Sequence, residues 1–276
     1  MNERVSRLRE RSFSARPSLS VERAILTTEF YAEWAGKVST PVLRAMNFRN
    51  LCARKEIFIG EDELVVGERG PRPKAVSTFP ELTCHSEEDL RILDSRPMAS
   101  YAVPAGELAA YRDKVIPYWR GRSLRDRAFA GMPPEWTALY EAGLFTEFME
   151  QRAAGHTALD GSIYRKGLRE RREEIAAARA ALDWAGDPEA FAKDEELKAM
   201  DIACEGAVVF AERYAALAES MAAREQDPVR RAELERISRV CRRVPAEAPR
   251  DFHEALQAYW FVHLGTVTEL NGWDAM

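Results

Sequence analysis

The sequence predicts a mainly α-helical fold with short β strands. Apolar residues recur three and four positions apart along most of the 276 residues, and this spacing gives a helix one buried face. Runs of β-branched residues are brief and fall in one region, between positions 57 and 67. Prolines cluster between positions 69 and 104, where the helical periodicity is lost. A chain of this length can bury a substantial core.

The first predicted helix runs from Ser20 to Gly36. We expect Ser20 to cap it, and Glu22 places a carboxylate in the first turn, where the helix dipole favours a negative charge. A second helix is expected after Thr40, with Pro41 at its first position. Proline is suited to that position because it lacks the N–H that a helix start leaves unpaired.

The region between positions 57 and 104 is predicted to be the least helical. Two β-branched runs, Ile57–Ile59 and Leu64–Gly67, are separated by four residues and predict a hairpin or a strand pair. Five prolines interrupt the stretch from Arg69 to Pro104, which we therefore expect to be an extended connection across the surface of a larger structure.

Helices are predicted for most of the remaining chain. Their expected ranges are Gly106–Trp119, Ser123–Ala130, Glu135–Ala142, Leu168–Trp184, Glu189–Glu225 and Pro228–Arg243. A last helix follows Pro249 and carries apolar residues around its whole circumference. Because such a helix must be enclosed by other structure, and the sequence stops soon after it, we expect either a partner subunit at this end or, preferably, truncation of a longer protein.

Composition excludes several classes of partner. The formal net charge is -5 at pH 7, which gives no general attraction to nucleic acid or to an anionic membrane. Positions 1–16 are basic and lack the apolar core of a signal peptide, so a cytoplasmic location is expected. The longest uncharged apolar run, positions 255–268, is too short to span a bilayer.

The four cysteines do not form a metal-binding or disulfide pattern. They lie far apart and include no Cys-x-x-Cys pair; they are Cys52, Cys84, Cys204 and Cys241. Unpaired cysteine commonly behaves as a small hydrophobic residue. We therefore expect buried free thiols and no bound metal.

Two polar clusters are candidates for site chemistry. In the first, positions 147–157 run from a predicted helix end into a glycine turn that presents His156, a group that can exchange protons near neutral pH. In the second, positions 269–274 bring Asp274 directly behind an apolar helix, and a carboxylate in an apolar interior is costly unless it has a partner. From these residues alone, a helix-capping histidine and a solvated turn remain open alternatives.

Several stretches of the chain resemble glycyl radical enzymes of the pyruvate formate-lyase-like family. Positions 147–157 read Glu-Phe-Met-Glu-Gln-Arg-Ala-Ala-Gly-His-Thr and match a family segment, with Ala154 in place of the usual proline. Further similar stretches lie at positions 63–70, 116–122, 197–203 and 249–252. The similarity covers nearly the whole chain from about Leu8, and several matches in the same order are more specific than any one motif.

The resemblance implies that residues 1–276 form one partial pyruvate formate-lyase-like domain, the N-terminal part of an incomplete α/β barrel. It implies a lyase that dehydrates trans-4-hydroxy-L-proline or a similar small hydroxylated substrate; cleavage of the C–S bond of isethionate, or another C–O or C–N elimination, is the alternative. No cofactor would be bound directly, since the family uses a glycyl radical installed by a radical SAM activating enzyme. That activase and the small polar substrate are the implied partners, and a homodimer is expected for the complete protein.

The resemblance also implies roles for individual residues. His156 matches a histidine that lies against the substrate and can protonate a departing hydroxyl, and Asp274 matches an aspartate that hydrogen-bonds the substrate. Arg152 and Thr157 are candidate substrate-binding residues, and Arg152 keeps a sulfonate substrate open.

The family's two radical-carrying motifs do not occur in this sequence. The family places a cysteine in a Cys-x-Glu setting and a glycine in an Arg-Val-x-Gly-Tyr type of loop, and neither pattern is found among the 276 residues. We therefore expect the chain to be inactive alone, as a fragment. Half of a split enzyme, or an inactive helical scaffold, are the alternatives.

Overall fold

Helices make up most of the part of the chain that the computed structural model describes, residues 2–145 and 159–269. In chain order, the elements are α1 (Glu3–Ser14), β1 (Ser18–Ser20), α2 (Glu22–Trp34), α3 (Thr40–Arg54), β2 (Ala75–Ser77), α4 (Glu87–Ser95), α5 (Ala105–Ala110), α6 (Ile116–Trp119), α7 (Leu124–Ala130), α8 (Pro134–Glu141), α9 (Leu168–Ala180), α10 (Ala190–Ala222), α11 (Pro228–Arg243) and α12 (Phe252–Glu269). A π-helical stretch, Tyr111–Val115, joins α5 to α6, and Asp160–Tyr164 form a 3₁₀ turn. The predicted mainly helical class is confirmed.

The main core lies where α10, the longest described helix, packs against α3, α11 and α12. Three aromatic rings meet at its centre: the Phe210 centroid is 5.1 Å from Tyr214 and 5.8 Å from Phe261. Gly206 allows α10 to approach α3 closely, because a Cβ at this position would lie 3.0 Å from the Arg49 Cα. Each large apolar side chain buried here contributes about 1.5–3 kcal/mol.

A second core cluster joins α2 to the π-helical stretch and α6. Tyr111 and Val115 are fully buried in it. The indole Nε1 of Trp119 donates a 2.8 Å hydrogen bond to the Thr28 hydroxyl, so that the polar end of this buried ring is paired. The cluster fixes the start of α2 relative to the segment that follows β2.

The strands lie outside the predicted strand region. β1 pairs in parallel with β2, with Leu19 opposite Val76, and Ala102 forms an isolated bridge to Ser18. Ser20, predicted as the cap of α2, is instead the last residue of β1. Val21 occupies the capping position, and its N–H donates to the Glu107 carboxylate of α5 at 2.8 Å. The Ser20 hydroxyl nevertheless accepts from the Glu22 N–H at 3.4 Å, so it contributes to the start of α2 alongside the Glu107 carboxylate.

The predicted hairpin at positions 57–67 is wrong, because side chains of α11 and α12 satisfy the backbone groups that a strand partner would have paired. The Gln257 amide accepts from the Val66 N–H and donates to the Val66 carbonyl, both at 2.8 Å. The Trp260 indole donates to the Gly67 carbonyl at 2.9 Å. Arg230 donates to the carbonyls of Gly60 and Glu63 at 3.0 and 2.9 Å.

Two helices were not predicted. α4 falls within the stretch expected to be an extended connection, and a capping box made by Ser86 and Asp89 begins it. α1 covers positions that we interpreted only as a basic, polar terminus. No residue of α1 is buried, and its large apolar residues are only Val5, Leu8 and Phe13 among many charged ones.

Only one face of α12 is buried among the described residues. Gln257 and Leu264 are fully enclosed, whereas Phe252 is 78% exposed and Leu256 is 41% exposed. We expected other structure to enclose α12 on all sides, but the described residues cover only part of its surface. Within residues 2–145 and 159–269, no helix is long and apolar enough to cross a membrane.

Charge pairs hold α1 against the rest of the molecule. The Arg7 Nε lies 2.9 Å from an Asp62 oxygen, Arg11 lies 2.7 Å from a Glu61 oxygen, and Arg4 pairs with Glu233. The hydrogen bond from Arg7 lowers the pKa of the Asp62 carboxyl to about 2, so Asp62 is charged at neutral pH.

The Asp62→Asn variant should release α1 without unfolding the core. Trypsin should cut among the arginines of α1 several-fold faster than in the wild type, and added salt should reduce the difference, because it screens the remaining ion pairs. Glu10→Gln is the matched control, since Glu10 is an exposed residue of the same helix. Equal cleavage rates for the two variants would show that Asp62 does not hold α1.

The Gln257→Leu variant should lose about 2–5 kcal/mol of unfolding free energy, because it leaves the Val66 N–H and carbonyl buried without partners. Urea titration followed by circular dichroism measures the loss. Gln226→Leu, at an exposed position, should change the stability by less than about 0.5 kcal/mol. A loss no larger in Gln257→Leu than in this control would contradict the role of the amide.

Candidate functional site

The four residues predicted for the site, His156, Asp274, Arg152 and Thr157, lie outside the described residues. The residues that flank them are described. Leu159 follows the first predicted cluster and Glu269 begins the second. Both line the same cleft, which has a volume of about 600 Å³. The two predicted clusters are far apart in the sequence, but Leu159 and Glu269, the described residues next to them, line one cleft.

The walls of this cleft come from α3, α10 and α12. Its floor is apolar and contains Phe48, Ala203 and Phe261. α3 and α12 approach closely here, and a Cβ added at Gly265 would touch the Phe48 ring at 3.4 Å. An apolar cleft with a few polar groups is typical of small-molecule sites.

Charged groups lie at the rim of the cleft. Arg44 Nη2 is 2.6 Å from Glu269 Oε1, and Glu196 on α10 also lines the cleft. The pair is partly exposed, which leaves Arg44 accessible to a solute. Sequence reasoning missed Arg44. Little in the sequence singles it out, because Arg44 is one of three arginines in α3, with Arg49 and Arg54.

Arg23 fixes the position of the carboxyl end of α12. It is 4% exposed, and its Nε donates to the Thr268 carbonyl at 2.6 Å while Nη2 donates to the Glu269 carbonyl at 2.8 Å. Its other hydrogen bonds go to the Glu81 carboxylate and to the Thr78 carbonyl, and the guanidinium lies 4.0 Å from the Phe79 ring centroid. A cation at this place also complements the negative end of the helix dipole.

Lys55 makes a second buried contact with the same helix end. Its Nζ lies 3.1 and 3.3 Å from the carbonyls of Glu68 and Arg69, and 3.4 Å from the Thr268 hydroxyl. Burial lowers the pKa of Lys55 to about 8. Arg23 and Lys55 together tie the last turn of α12 to α2, α3 and residues 68–69. Neither was predicted, because each stands next to another charged residue in the sequence, Arg23 after Glu22 and Lys55 between Arg54 and Glu56.

The thiols of the described residues are not activated. Burial raises the pKa of Cys52 and of Cys241 to about 12, and burial with the nearby Asp201 raises that of Cys204 to about 11. Burial also raises the pKa of Cys84. Cys204 lines the candidate cleft and is protonated at neutral pH. Within the described ranges, no group of three or more His, Cys, Asp or Glu side chains is placed to hold a metal ion.

Comparison with known proteins gives one consistent family. The family model described as pyruvate formate lyase-like matches residues 1–276. The chain is 43% identical over 273 residues to trans-4-hydroxy-L-proline dehydratase of Clostridioides difficile, covering 99% of this chain and 35% of that protein. The crystal structure of that enzyme with trans-4-hydroxy-L-proline bound matches with a TM-score of 0.95, covering 100% of this chain and 35% of the other.

Two further relatives are more distant. A probable dehydratase of Escherichia coli (strain K12) is 32% identical, over 93% of this chain and 32% of the relative. Isethionate sulfite-lyase of Desulfovibrio desulfuricans is 29% identical, over 95% of this chain and 32% of the relative. The chain thus spans about a third of the length of these relatives. It belongs to the pyruvate formate-lyase-like family of glycyl radical enzymes.

Proposed function

We propose that this chain supplies the substrate-binding side of a glycyl radical lyase that removes water from a small hydroxylated substrate, with trans-4-hydroxy-L-proline as the first candidate. The position of Leu159 and Glu269 on one cleft carries the proposal. His156 lies three positions before Leu159, and Asp274 lies five positions after Glu269, so an extended chain can reach about 11 and 18 Å respectively. Both side chains are therefore within reach of the cleft.

The chemistry assigned to each residue follows from what dehydration requires. Hydroxide is a poor leaving group, so an acid must deliver a proton as the C–O bond breaks, and His156 can do this near neutral pH. The Asp274 carboxylate can hold a substrate hydroxyl or a cationic ring nitrogen. The fully hydrogen-bonded Arg23 stabilises the helix end from which the segment containing Asp274 continues.

Hydrogen abstraction is not assigned to this chain. The family's chemistry starts from a glycyl radical, installed by a radical SAM activase and relayed through a cysteine. The chain holds neither the Cys-x-Glu nor the glycine-loop motif, and its described thiols are fixed in buried or half-buried positions by neighbouring helices. We propose that those groups come from other sequence, whether on the same polypeptide or on a separate one, and that this chain alone does not turn over substrate.

Cleavage of isethionate is the second candidate. Arg152 in the first predicted cluster could pair with a sulfonate, and an isethionate sulfite-lyase is among the relatives. Two observations favour dehydration. The hydroxyproline enzyme is more similar, at 43% against 29% identity, and His156 supplies the acid that a departing hydroxide needs and a departing sulfite does not.

A chimaera tests the proposal. In it, this chain replaces the matching third of the Clostridioides difficile enzyme, and the protein is activated anaerobically with that enzyme's activase. We expect the chimaera to consume trans-4-hydroxy-L-proline and not isethionate, as measured by the pyrroline carboxylate or sulfite formed. His156→Ala should lower kcat by about 100-fold or more, because general acid catalysis is removed. Asp274→Asn should mainly raise KM.

The glycyl radical signal in electron paramagnetic resonance is the control measurement. It should be equal in the chimaera and in all variants, since the radical lies outside this chain. Cys204→Ser is the matched control variant, because its side chain lines the cleft without a proposed role, and it should retain turnover within about threefold. Normal turnover in His156→Ala, with an intact radical signal, would overturn the acid role.

A further inference from the structure

A second cavity lies between β2, α4 and the residues that follow each of them. Its volume is about 520 Å³, which is within the range of small-molecule sites. It shares no lining residue with the candidate cleft among the described residues. One part of its wall is apolar and is formed by Leu19, Val76, Phe79, Leu90, Ile92 and Leu93.

Two arginines, Arg69 and Arg96, add positive charge to the wall of the cavity. The Arg69 side chain is exposed and has no hydrogen bond, ion pair or ring contact with any described residue. Desolvation by surrounding protein atoms lowers the pKa of Arg69, and the nearby Tyr101 and Glu68 side chains oppose this shift without reversing it. Arg96 donates from Nε and Nη2 to the Ala99 carbonyl at 2.9 and 2.6 Å, which leaves its Nη1 hydrogens available.

Two polar groups without partners lie behind this wall, on residues that line the cavity. The hydroxyls of Thr78 and Thr83 are inaccessible to solvent and have no hydrogen-bond partner among the described residues. Buried polar atoms are nearly always paired in native proteins, so two unpaired hydroxyls beside one cavity are unusual. The Tyr101 ring also lines the cavity, with the Arg96 guanidinium 6.0 Å from its centroid.

The charge balance of the cavity favours a monoanion. Asp89 lines the cavity too, and its carboxylate accepts from the Ser86 N–H at 2.7 Å as part of the cap of α4. Arg69 and Arg96 outnumber Asp89, so these three lining side chains together carry one net positive charge. A dianion such as phosphate would be attracted by the arginines but repelled by Asp89.

We propose that this cavity binds a small monocarboxylate with an aliphatic or aromatic body. Arg69, assisted by Arg96, holds the carboxylate, and the apolar wall accepts the body. A planar guanidinium with free N–H groups matches a carboxylate in geometry, and the partly enclosed cavity strengthens the interaction relative to open water. The proposal does not depend on the radical reaction.

Isothermal titration of the 276-residue chain with benzoate and hexanoate tests the proposal, with benzamide and hexanamide as neutral analogues. We expect the carboxylates to bind and the amides to bind at least tenfold more weakly. Arg69→Gln should weaken carboxylate binding at least about tenfold, because a charge-assisted hydrogen bond is lost. Arg239→Gln, an exposed substitution on α11, should leave binding unchanged.

Protein chemical shifts measured by NMR locate the bound molecule. Benzoate should shift signals of residues 76–101 in the wild type and not in Arg69→Gln, while both proteins melt at the same temperature. The proposal is overturned if acid and amide bind equally, if Arg69→Gln binds as well as the wild type, or if the shifts lie elsewhere. Tighter binding of inorganic phosphate than of benzoate would likewise exclude a carboxylate site.

Discussion

The buried Arg23 side chain is the interaction on which the arrangement of the site depends. A guanidinium has five N–H hydrogens, and the five hydrogen bonds of Arg23 use one from Nε and two from each terminal nitrogen. Its acceptors belong to the end of α12 and to residues 78–81, and its own backbone belongs to α2. Because a buried charge is tolerated only when it is fully paired, these three parts of the chain have one low-energy arrangement.

Two core clusters hold in place the helices that Arg23 joins. Tyr111 and Trp119 fix α2 from one side, and the aromatic cluster around Phe210 and Phe261 fixes α12 from the other. Gln257 and Trp260 then attach residues 66–67 to α12 by hydrogen bonds that replace a strand partner. The candidate cleft lies beside this helix, so the elements that stabilise the fold also set the width of the cleft.

Helices that are determined by their own residues could be predicted from the sequence. Residues 40–54 and 228–243 carry both an apolar stripe and a start signal, and both form helices as predicted. Segments whose structure depends on residues far away in the chain could not be predicted in this way. Residues 57–67 have β-branched runs, but Gln257, almost 200 positions away, pairs with them, and α1 is held by charges rather than by an apolar face. Likewise, the importance of Arg23, Arg44 and Lys55 is visible only once the fold brings them to the end of α12. His156 and Asp274 were singled out from two polar clusters of the sequence, their roles come from resemblance, and both remain predictions.

Amide hydrogen exchange in the Arg23→Met variant tests the central role of this side chain most directly. Loss of the guanidinium should speed exchange at least tenfold in the last turn of α12 and in residues 79–83, while α9 remains unchanged. Arg54→Met, which removes the exposed pair with Glu29, is the control and should alter neither region. Unchanged protection at the end of α12 in Arg23→Met would contradict the account, because that helix end would then be held without Arg23.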